Sequence, residues 1–314
     1  MQLNGYISQL FTGMNFPTYI LVDSSNAIYI SNTYNNAILR IQNGQRNIIA
    51  DASNGISKPV GLVFDASKNL YVANYGNNTI SKIDSAGDVS VFVDASAGLD
   101  KPNGLAFNST GQLYSTNGFT KISRIDALGN VHHFVQGSNT SPINVPIFIT
   151  FNSADEMFIT NFNGQSVISK VNSSGSIMTP FLLNSQGITH PRGIAFDTFG
   201  NLFISYQNNI VYITPQKKVI PLVTGGEYIN SPRGISFDNY GNLLITNAKT
   251  QELQTPYANT ISKFTFTGPP PTYGTCNSIM SKYLTEIAPF SMQQRAKLTR
   301  MPMFQLHPQS PSNI

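Results

Sequence analysis

Short apolar runs separated by glycine, asparagine and aspartate fill the first 267 residues of the chain. The runs are about three to seven residues long and rich in Ile, Val, Phe, Tyr and Thr, which is typical of β-strands joined by tight turns. One stretch contains four such runs in order, at residues 105–107, 113–115, 122–125 and 131–135. No segment before residue 268 has helical periodicity, so the pattern predicts an all-β fold.

The group of four runs occurs six times, and each copy begins at a proline. These anchor prolines are spaced 41 to 45 residues apart, at Pro17, Pro59, Pro102, Pro146, Pro191 and Pro232. Two copies are closely matched: HPRGIAFDTFGNLFIS at residues 190–205 and SPRGISFDNYGNLLIT at residues 231–246. A repeat of about 40 to 45 residues with four short strands has the size of one propeller blade, and a closed ring of blades protects its strand edges. The repeats therefore predict a six-bladed β-propeller.

The sixth copy lacks a fourth strand. Its third run ends near residue 266 and is followed by Gly268 and three prolines, which cannot continue a central strand. The N-terminal stretch GYISQLF, residues 5–11, precedes the first anchor as residues 89–93 precede the third. We therefore expect this N-terminal strand to close the ring. The predicted domains are a propeller over residues 1–267 and a Pro-rich linker with a partly helical, partly extended docking tail over residues 268–314.

The repeat line resembles a known family. KPVGLVFDASKNLYVANYGNNTI, residues 58–80, is similar to the NHL repeat, and the resemblance extends over roughly residues 5 to 267. Sugar-lactonase and strictosidine-synthase-like propellers share much of the pattern. Two kinds of position depart from it. Tyr19 and Phe148 replace the glycine that follows the anchor, and asparagine stands where the family often has aspartate, at Asn74, Asn117, Asn161 and Asn247.

The resemblance implies that the residue after each anchor proline lies at one mouth of the central channel. The six residues at this position are Thr18, Val60, Asn103, Ile147, Arg192 and Arg233, and those just before the prolines add Phe16, Lys58, Lys101, Val145, His190 and Ser231. This predicts a mouth that is cationic on two sides. Two guanidinium groups could bind a carboxylate or phosphate. Alternatively, each could satisfy backbone carbonyls or a carboxylate such as Asp197 or Asp238.

The loops between the second and third strands are expected to open on the same side as the anchors, where aromatic side chains could contact a ligand or protein. About half are expected to be exposed, with the others capping the spaces between blades. The full candidate binding set is Arg192, Arg233, His190, Asn103, Lys58, Lys101, Tyr34, Tyr75, Phe119, Phe162 and Tyr206.

Charge and composition narrow the partner classes. The net charge is +4, but residues 268–314 hold four basic residues and one acidic residue, so the ring itself is nearly neutral. A near-neutral ring is a poor polyanion binder, and nucleic acid is not expected. No secretory signal or membrane-spanning run is seen, which favours a location inside a cell or a particle. The single cysteine, Cys276, excludes an intrachain disulfide framework.

Propellers with a similar repeat include metal-dependent enzymes. Resemblance to metal-dependent lactonases implies Glu, Asn and Asp ligands at the mouth. Asn103 matches this pattern, but Thr18 stands where an early Glu is expected, and two later positions hold arginine, which cannot ligate a cation. Peptide-amidating lyases use histidine-bound zinc, and the four histidines here, at His132, His133, His190 and His307, are not expected to gather at one mouth. No catalytic residue, metal or cofactor is predicted.

The C-terminal tail has an apolar stripe at helical spacing, formed by Ile279, Met280, Tyr283, Leu284 and Ile287. We expect this stripe to dock on a protein partner. The resulting hypothesis is a noncatalytic binding or scaffold propeller, which recognises a protein or anionic partner through the anchor side and attaches through its tail, in a larger assembly such as a virion. The alternative is a metal-dependent lactonase-like or lyase propeller enzyme.

Overall fold

The computed structural model describes residues 3–137, 142–163, 166–226, 228–248 and 259–267. All of them belong to one compact unit, residues 1–276. Twenty-four strands form six antiparallel four-stranded sheets, and the innermost strands of successive sheets contact one another around a closed ring. The fold is a six-bladed β-propeller, as the repeats predict. The linker, the apolar tail stripe, Cys276 and His307 lie outside the described residues.

The strands run outward from the channel in each blade. Blade 1 contains β2 (Pro17–Val22), β3 (Ile28–Asn32), β4 (Ala37–Gln42) and β5 (Gln45–Ala50). Blade 2 contains β6 (Pro59–Phe64), β7 (Leu70–Asn74), β8 (Thr79–Ile83) and β9 (Val89–Val93). Blade 3 contains β10 (Leu105–Phe107), β11 (Leu113–Asn117), β12 (Lys121–Ile125) and β13 (Val131–Gln136).

The second half of the ring is built in the same order. Blade 4 contains β14 (Pro146–Phe151), β15 (Met157–Asn161), β16 (Ser166–Val171) and β17 (Ile177–Leu183). Blade 5 contains β18 (Pro191–Phe196), β19 (Leu202–Tyr206), β20 (Asn209–Ile213) and β21 (Val219–Thr224). Blade 6 contains β22 (Pro232–Phe237), β23 (Leu243–Asn247), β24 (Thr260–Phe266) and β1 (Gly5–Phe11).

Ring closure follows the sequence-based prediction. Strand β1 pairs antiparallel with β24, from Gly5 opposite Phe266 to Phe11 opposite Ile261, with one register shift near Phe11. Ile7 packs into the apolar cluster between blades 5 and 6. The N-terminal strand thus supplies both the missing ladder of blade 6 and part of the core between blades 5 and 6.

Burial explains the strand composition. Every residue of β3, β7, β11, β15 and β23 is buried, because each second strand is covered on both faces by neighbouring blades. The outer strands β5, β9 and β13 are more exposed, and β5 and β13 are accordingly more polar. Apolar clusters lie between adjacent blades, such as the one joining Tyr29 of blade 1 to Val72 of blade 2. The hydrophobic effect therefore acts mainly across blade interfaces.

Helical structure is confined, in the described residues, to single 3-10 turns at Thr33–Asn35, Ala52–Asn54, Ala95–Ala97 and Asn184–Gln186. Asp51 and Asp94 begin two of these turns, and each carboxylate accepts a hydrogen bond from the backbone amide two residues later. No helix in the described ranges is long and apolar enough to cross a membrane.

Candidate functional site

The six residues that follow the anchors converge on one cavity of about 300 Å³. Thr18, Val60, Asn103, Ile147, Arg192 and Arg233 all line it, as the sequence predicts for the channel mouth. The remaining lining residues are Phe16, Thr33, Tyr34, Lys58, Tyr75 and Phe148. Because anchors and second-to-third-strand loops contribute together, both open on the same side of the ring. Among these described lining residues, three are cationic and none is a carboxylate.

A turn with unusual backbone geometry presents each anchor. The residue before the proline has φ between 43° and 58° in all six blades, namely Phe16, Lys58, Lys101, Val145, His190 and Ser231. This left-handed conformation disfavours side chains, above all a β-branched one such as valine. Asparagine side chains hold the turn: Asn36 Oδ1 accepts from the Lys58 amide at 2.7 Å, and Asn78 Oδ1 accepts from the Lys101 amide at 2.8 Å. Since the geometry recurs in every blade, it belongs to the fold.

The asparagines that depart from the family pattern also support this turn. Asn74 Oδ1 accepts the backbone amide of Ser57 at 3.1 Å, while its Nδ2 donates to Ser81 Oγ at 2.8 Å. Asn247 makes the equivalent pair of contacts, with the Asn230 amide at 3.1 Å and Ser262 Oγ at 2.8 Å. Each amide thus pairs both a backbone N–H and a buried serine hydroxyl, accepting with its oxygen and donating with its nitrogen.

Buried hydroxyl groups in the second strands position the two arginines. Thr160 Oγ1 donates to the backbone oxygen of Arg192 at 2.8 Å, and Ser205 Oγ donates to that of Arg233 at 2.6 Å. Ser31 makes the matching contact to the Val60 oxygen in the next blade at 2.5 Å. Sequence reasoning missed these residues. The recurrence of Ser or Thr in the second run was the available signal.

Arg233 lies against an aromatic stack. Its guanidinium carbon is 4.1 Å from the centroid of the Phe16 ring, and Phe16 in turn stacks on Tyr34 with centroids 4.3 Å apart and planes 4° apart. Nε donates to the backbone oxygen of Ala248 at 3.3 Å. This contact agrees with the interpretation that the arginine satisfies a carbonyl, but it occupies only one of five N–H donors. The remaining donors are available to a ligand.

Arg192 has a similar but looser setting. Its guanidinium carbon lies 4.8 Å from the centroid of the Phe162 ring, and Phe162 also packs against His190 with centroids 4.7 Å apart. Within the described ranges, the Arg192 side chain makes no hydrogen bond and neither arginine forms an ion pair. Both guanidinium groups therefore face the cavity without a counter-charge from the part of the chain that the structure describes.

The two carboxylates proposed as partners point elsewhere. Asp197 accepts from the Asn201 side chain, and Asp238 accepts from the Asn242 side chain, both at 2.7 Å within their own turns. These turns connect the first and second strands, at the end of the blade away from the anchors. The suggested Arg–Asp pairing is therefore wrong, because the blade length separates the groups.

Burial lowers the pKa of both arginines. For Arg192 desolvation is the cause, and for Arg233 desolvation is followed by the charge of Arg192, which together lower its pKa to about 9. Both groups remain cationic at neutral pH. The charge of Arg192 thus acts on Arg233 inside the ring. Such an arrangement is unfavourable for the free protein and favourable for an anionic ligand.

The opposite part of the cavity is apolar. Tyr19 and Phe148, the two residues that replace the usual glycine, meet across the channel with ring centroids 4.9 Å apart. Both pack in one cluster with Val60 and Ile147. At the equivalent position in blade 3 a side chain would not fit, because a Cβ on Gly104 would lie 2.7 Å from the Ile147 oxygen. These two aromatic substitutions therefore give the cavity an apolar floor.

The other candidates are distributed around the rim. Lys58, Tyr34 and Tyr75 line the cavity, whereas Lys101, His190, Phe119, Phe162 and Tyr206 do not. Tyr34, Tyr75 and Phe119 are exposed, and the other two loop aromatics are partly buried. Burial raises the pKa of Tyr206.

A divalent metal does not fit this donor set. The only side-chain oxygens offered by the anchor positions are those of Thr18 and Asn103, with two guanidinium groups facing them. The described part of the chain contains no group of three or more His, Cys, Asp or Glu side chains that could hold a metal. Hard cations need several oxygen ligands, usually including carboxylates.

The chain matches no protein-family model and no curated protein. It is similar in structure to virginiamycin B lyase from Staphylococcus aureus, with a TM-score of 0.63 and 17% identity over 83% of this chain and 99% of that one. It is also similar to a gluconolactonase from Xanthomonas campestris, with a TM-score of 0.67 and 14% identity over 83% of this chain and 89% of that one. Regucalcin from Agrobacterium tumefaciens gives a TM-score of 0.67 and 12% identity over 88% of this chain and 100% of that one. The fold is that of the lyase and lactonase propellers.

These similarities correct the functional expectation. The sequence interpretation favoured a noncatalytic scaffold in a larger assembly. The structural neighbours, however, include a lyase, a gluconolactonase and a luciferin-regenerating enzyme. That interpretation is wrong on this comparison, and the enzymatic alternative is better supported. The lack of metal ligands at the mouth is not an argument against catalysis, because fixed cationic side chains can also stabilise the charge that develops in a reaction.

Proposed function

We propose that this protein is a propeller enzyme of the lyase type that acts on a small anionic substrate at the anchor-side cavity, without a metal held by the protein. One observation carries the proposal: Arg192 and Arg233 share a small, partly apolar cavity, and none of its described lining residues is a carboxylate that could neutralise them. Paired guanidinium groups of this kind bind a carboxylate or phosphate through several N–H donors. We also propose that the chain is related to the NHL-repeat propellers, because its repeat sequence resembles theirs.

The arginines would also stabilise the charge that develops during elimination. When a base removes the proton next to a substrate carboxylate, the electron pair moves into that carboxylate. It then forms a C=C bond as the leaving group departs with its own bonding pair. Fixed cations aimed at this oxygen lower the barrier most in a water-poor cavity.

His190, which lies beside the cavity rather than in its lining, is our candidate for the proton acceptor of a substrate that reaches the Phe162 ring. It is on the anchor side and packs against Phe162, which also contacts Arg192. A histidine imidazole can accept a proton without a metal. In the similar virginiamycin B lyase, a histidine-to-alanine variant is catalytically inactive, which supports testing a histidine here.

The test is a screen for turnover of carboxylates and phosphates in which the carbon next to an acidic C–H carries a leaving group. The C=C bond that forms is detected by its absorbance. We expect turnover that survives excess chelator and falls at least 100-fold in Arg192→Gln and Arg233→Gln, as for other lost charge-stabilising groups. His190→Gln should lower kcat with little change in KM.

Arg124→Gln is the matched control, because this arginine is exposed on β12 and does not line the cavity. It should retain full turnover. Activity that disappears with chelator, or that survives loss of both cavity arginines in a folded protein, would contradict the proposal. So would the absence of turnover across the whole screen.

A further inference from the structure

We infer that the ligand of this cavity is a small acid with a flat apolar body, such as an aromatic carboxylate, rather than a sugar acid or other polyol. The inference rests on the proposed function and specifies its substrate class. It depends on which polar groups of the cavity are already engaged and on how charge and apolar surface divide around the ring.

The two threonine hydroxyls of the cavity are engaged within the protein. Thr18 Oγ1 and Thr33 Oγ1 share a hydrogen bond of 2.6 Å, and Thr33 Oγ1 donates to the backbone oxygen of Pro59 at 2.7 Å. The neutral polar groups that remain among the lining side chains are the Asn103 amide and the phenol hydroxyls of Tyr34 and Tyr75. These few groups cannot pair every hydroxyl of a polyol, and each unsatisfied buried group costs about 1 to 3 kcal/mol.

Apolar and aromatic surface fills most of the remaining wall. Val60, Ile147 and Phe148 form the floor, with Tyr19 packed below them. Tyr34 stacks on Phe16 through one face only and is 47% exposed. Tyr75 is 37% exposed and has no ring contact with another described aromatic residue. Two tyrosine faces are therefore available to a flat ligand.

Guanidinium charge occupies one side of the ring, and the exposed ammonium group of Lys58 adds a third cation at the rim beside blade 2. The two arginines belong to the adjacent blades 5 and 6, whereas Val60 and Ile147 belong to blades 2 and 4. A ligand with its acid group on the arginines would extend its body over the apolar floor towards Tyr75. A cavity of about 300 Å³ lies at the lower end of the range for small-molecule sites, which limits the ligand to one ring or a similar body.

Binding of four probes tests the inference directly, by calorimetry at constant ionic strength: phenylacetate, its neutral isostere phenylacetamide, gluconate and acetate. We expect phenylacetate to bind at least tenfold more tightly than each of the others. Arg233→Gln should remove the difference between phenylacetate and phenylacetamide. Tyr75→Ala should weaken phenylacetate at least fivefold and gluconate less than twofold.

Phe199→Ala is the control for the tyrosine variant, since Phe199 is 59% exposed in a turn at the opposite end of blade 5; it should bind phenylacetate normally. Gluconate binding as tightly as phenylacetate would overturn the inference and leave the proposed enzyme intact. Failure of all four probes to bind would also overturn it. If Arg233→Gln leaves the affinity for phenylacetate unchanged, both the inference and the arginine site on which the proposed function rests are overturned.

Discussion

Replacing Arg233 by methionine is expected to make the free protein more stable. Burial, and then the charge of Arg192, lowers the pKa of this arginine from its usual range to about 9. At about 1.4 kcal/mol per pKa unit, that depression corresponds to about 5 kcal/mol against the charged form. The cation–π contact with Phe16 offsets about 2 kcal/mol of this cost. The 3.3 Å hydrogen bond to Ala248 offsets about 1 kcal/mol more.

The balance predicts that Arg233→Met raises the free energy of unfolding by about 2 kcal/mol. For a domain of this size the melting temperature should rise by about 5 °C. Thermal and urea unfolding of the wild type, Arg233→Met and Arg192→Met would measure it. Because the two charges repel, the double variant should gain less than the sum of the single variants.

The pH dependence gives an independent check. Since the folded pKa of Arg233 lies below its unfolded value, the unfolded chain holds one more proton than the folded chain at pH values above about 9. The wild type therefore gains stability relative to the methionine variant as pH rises through 9. The difference between the two should shrink between pH 8 and 10. A variant destabilised by more than about 1 kcal/mol, or a difference that is independent of pH, would refute the reasoning and make Arg233 a structural residue.

Three further outcomes are expected. Deleting residues 1–11 removes the partner of β24 and should cause aggregation, seen by light scattering; a soluble monomer with unchanged melting would contradict strand closure. Tyr71 has its pKa raised to about 12, first by burial and then by the charge of Asp65, so stability should fall as pH rises from 10 towards 12, and Tyr71→Phe should reduce this slope; an identical slope would assign the loss to other groups. Thr160→Val leaves the buried Arg192 oxygen without its 2.8 Å donor, and should cost about 1 to 3 kcal/mol in urea unfolding; wild-type stability would mean that the hydroxyl does not hold the blade edge.

The sequence by itself determined the architecture. Six proline anchors at regular spacing fixed the number of blades, and the proline-rich stretch after residue 267 identified a missing strand that residues 5–11 could supply. These features are local and repeated, so every copy confirms the others. The resemblance to NHL repeats implied that the residue after each anchor lies at the channel mouth, and the repetition predicted that the six such residues form one ring.

Only the tertiary structure decided what those residues do. Whether Arg192 and Arg233 are paired depends on groups in other blades, and the structure shows Asp197 and Asp238 engaged at the far end. The floor formed by Tyr19 and Phe148 joins residues more than a hundred positions apart. The hydroxyls of Thr160 and Ser205 act on the next blade along the ring. Charge compensation and close packing arise between blades, and no single repeat contains both partners of such a contact.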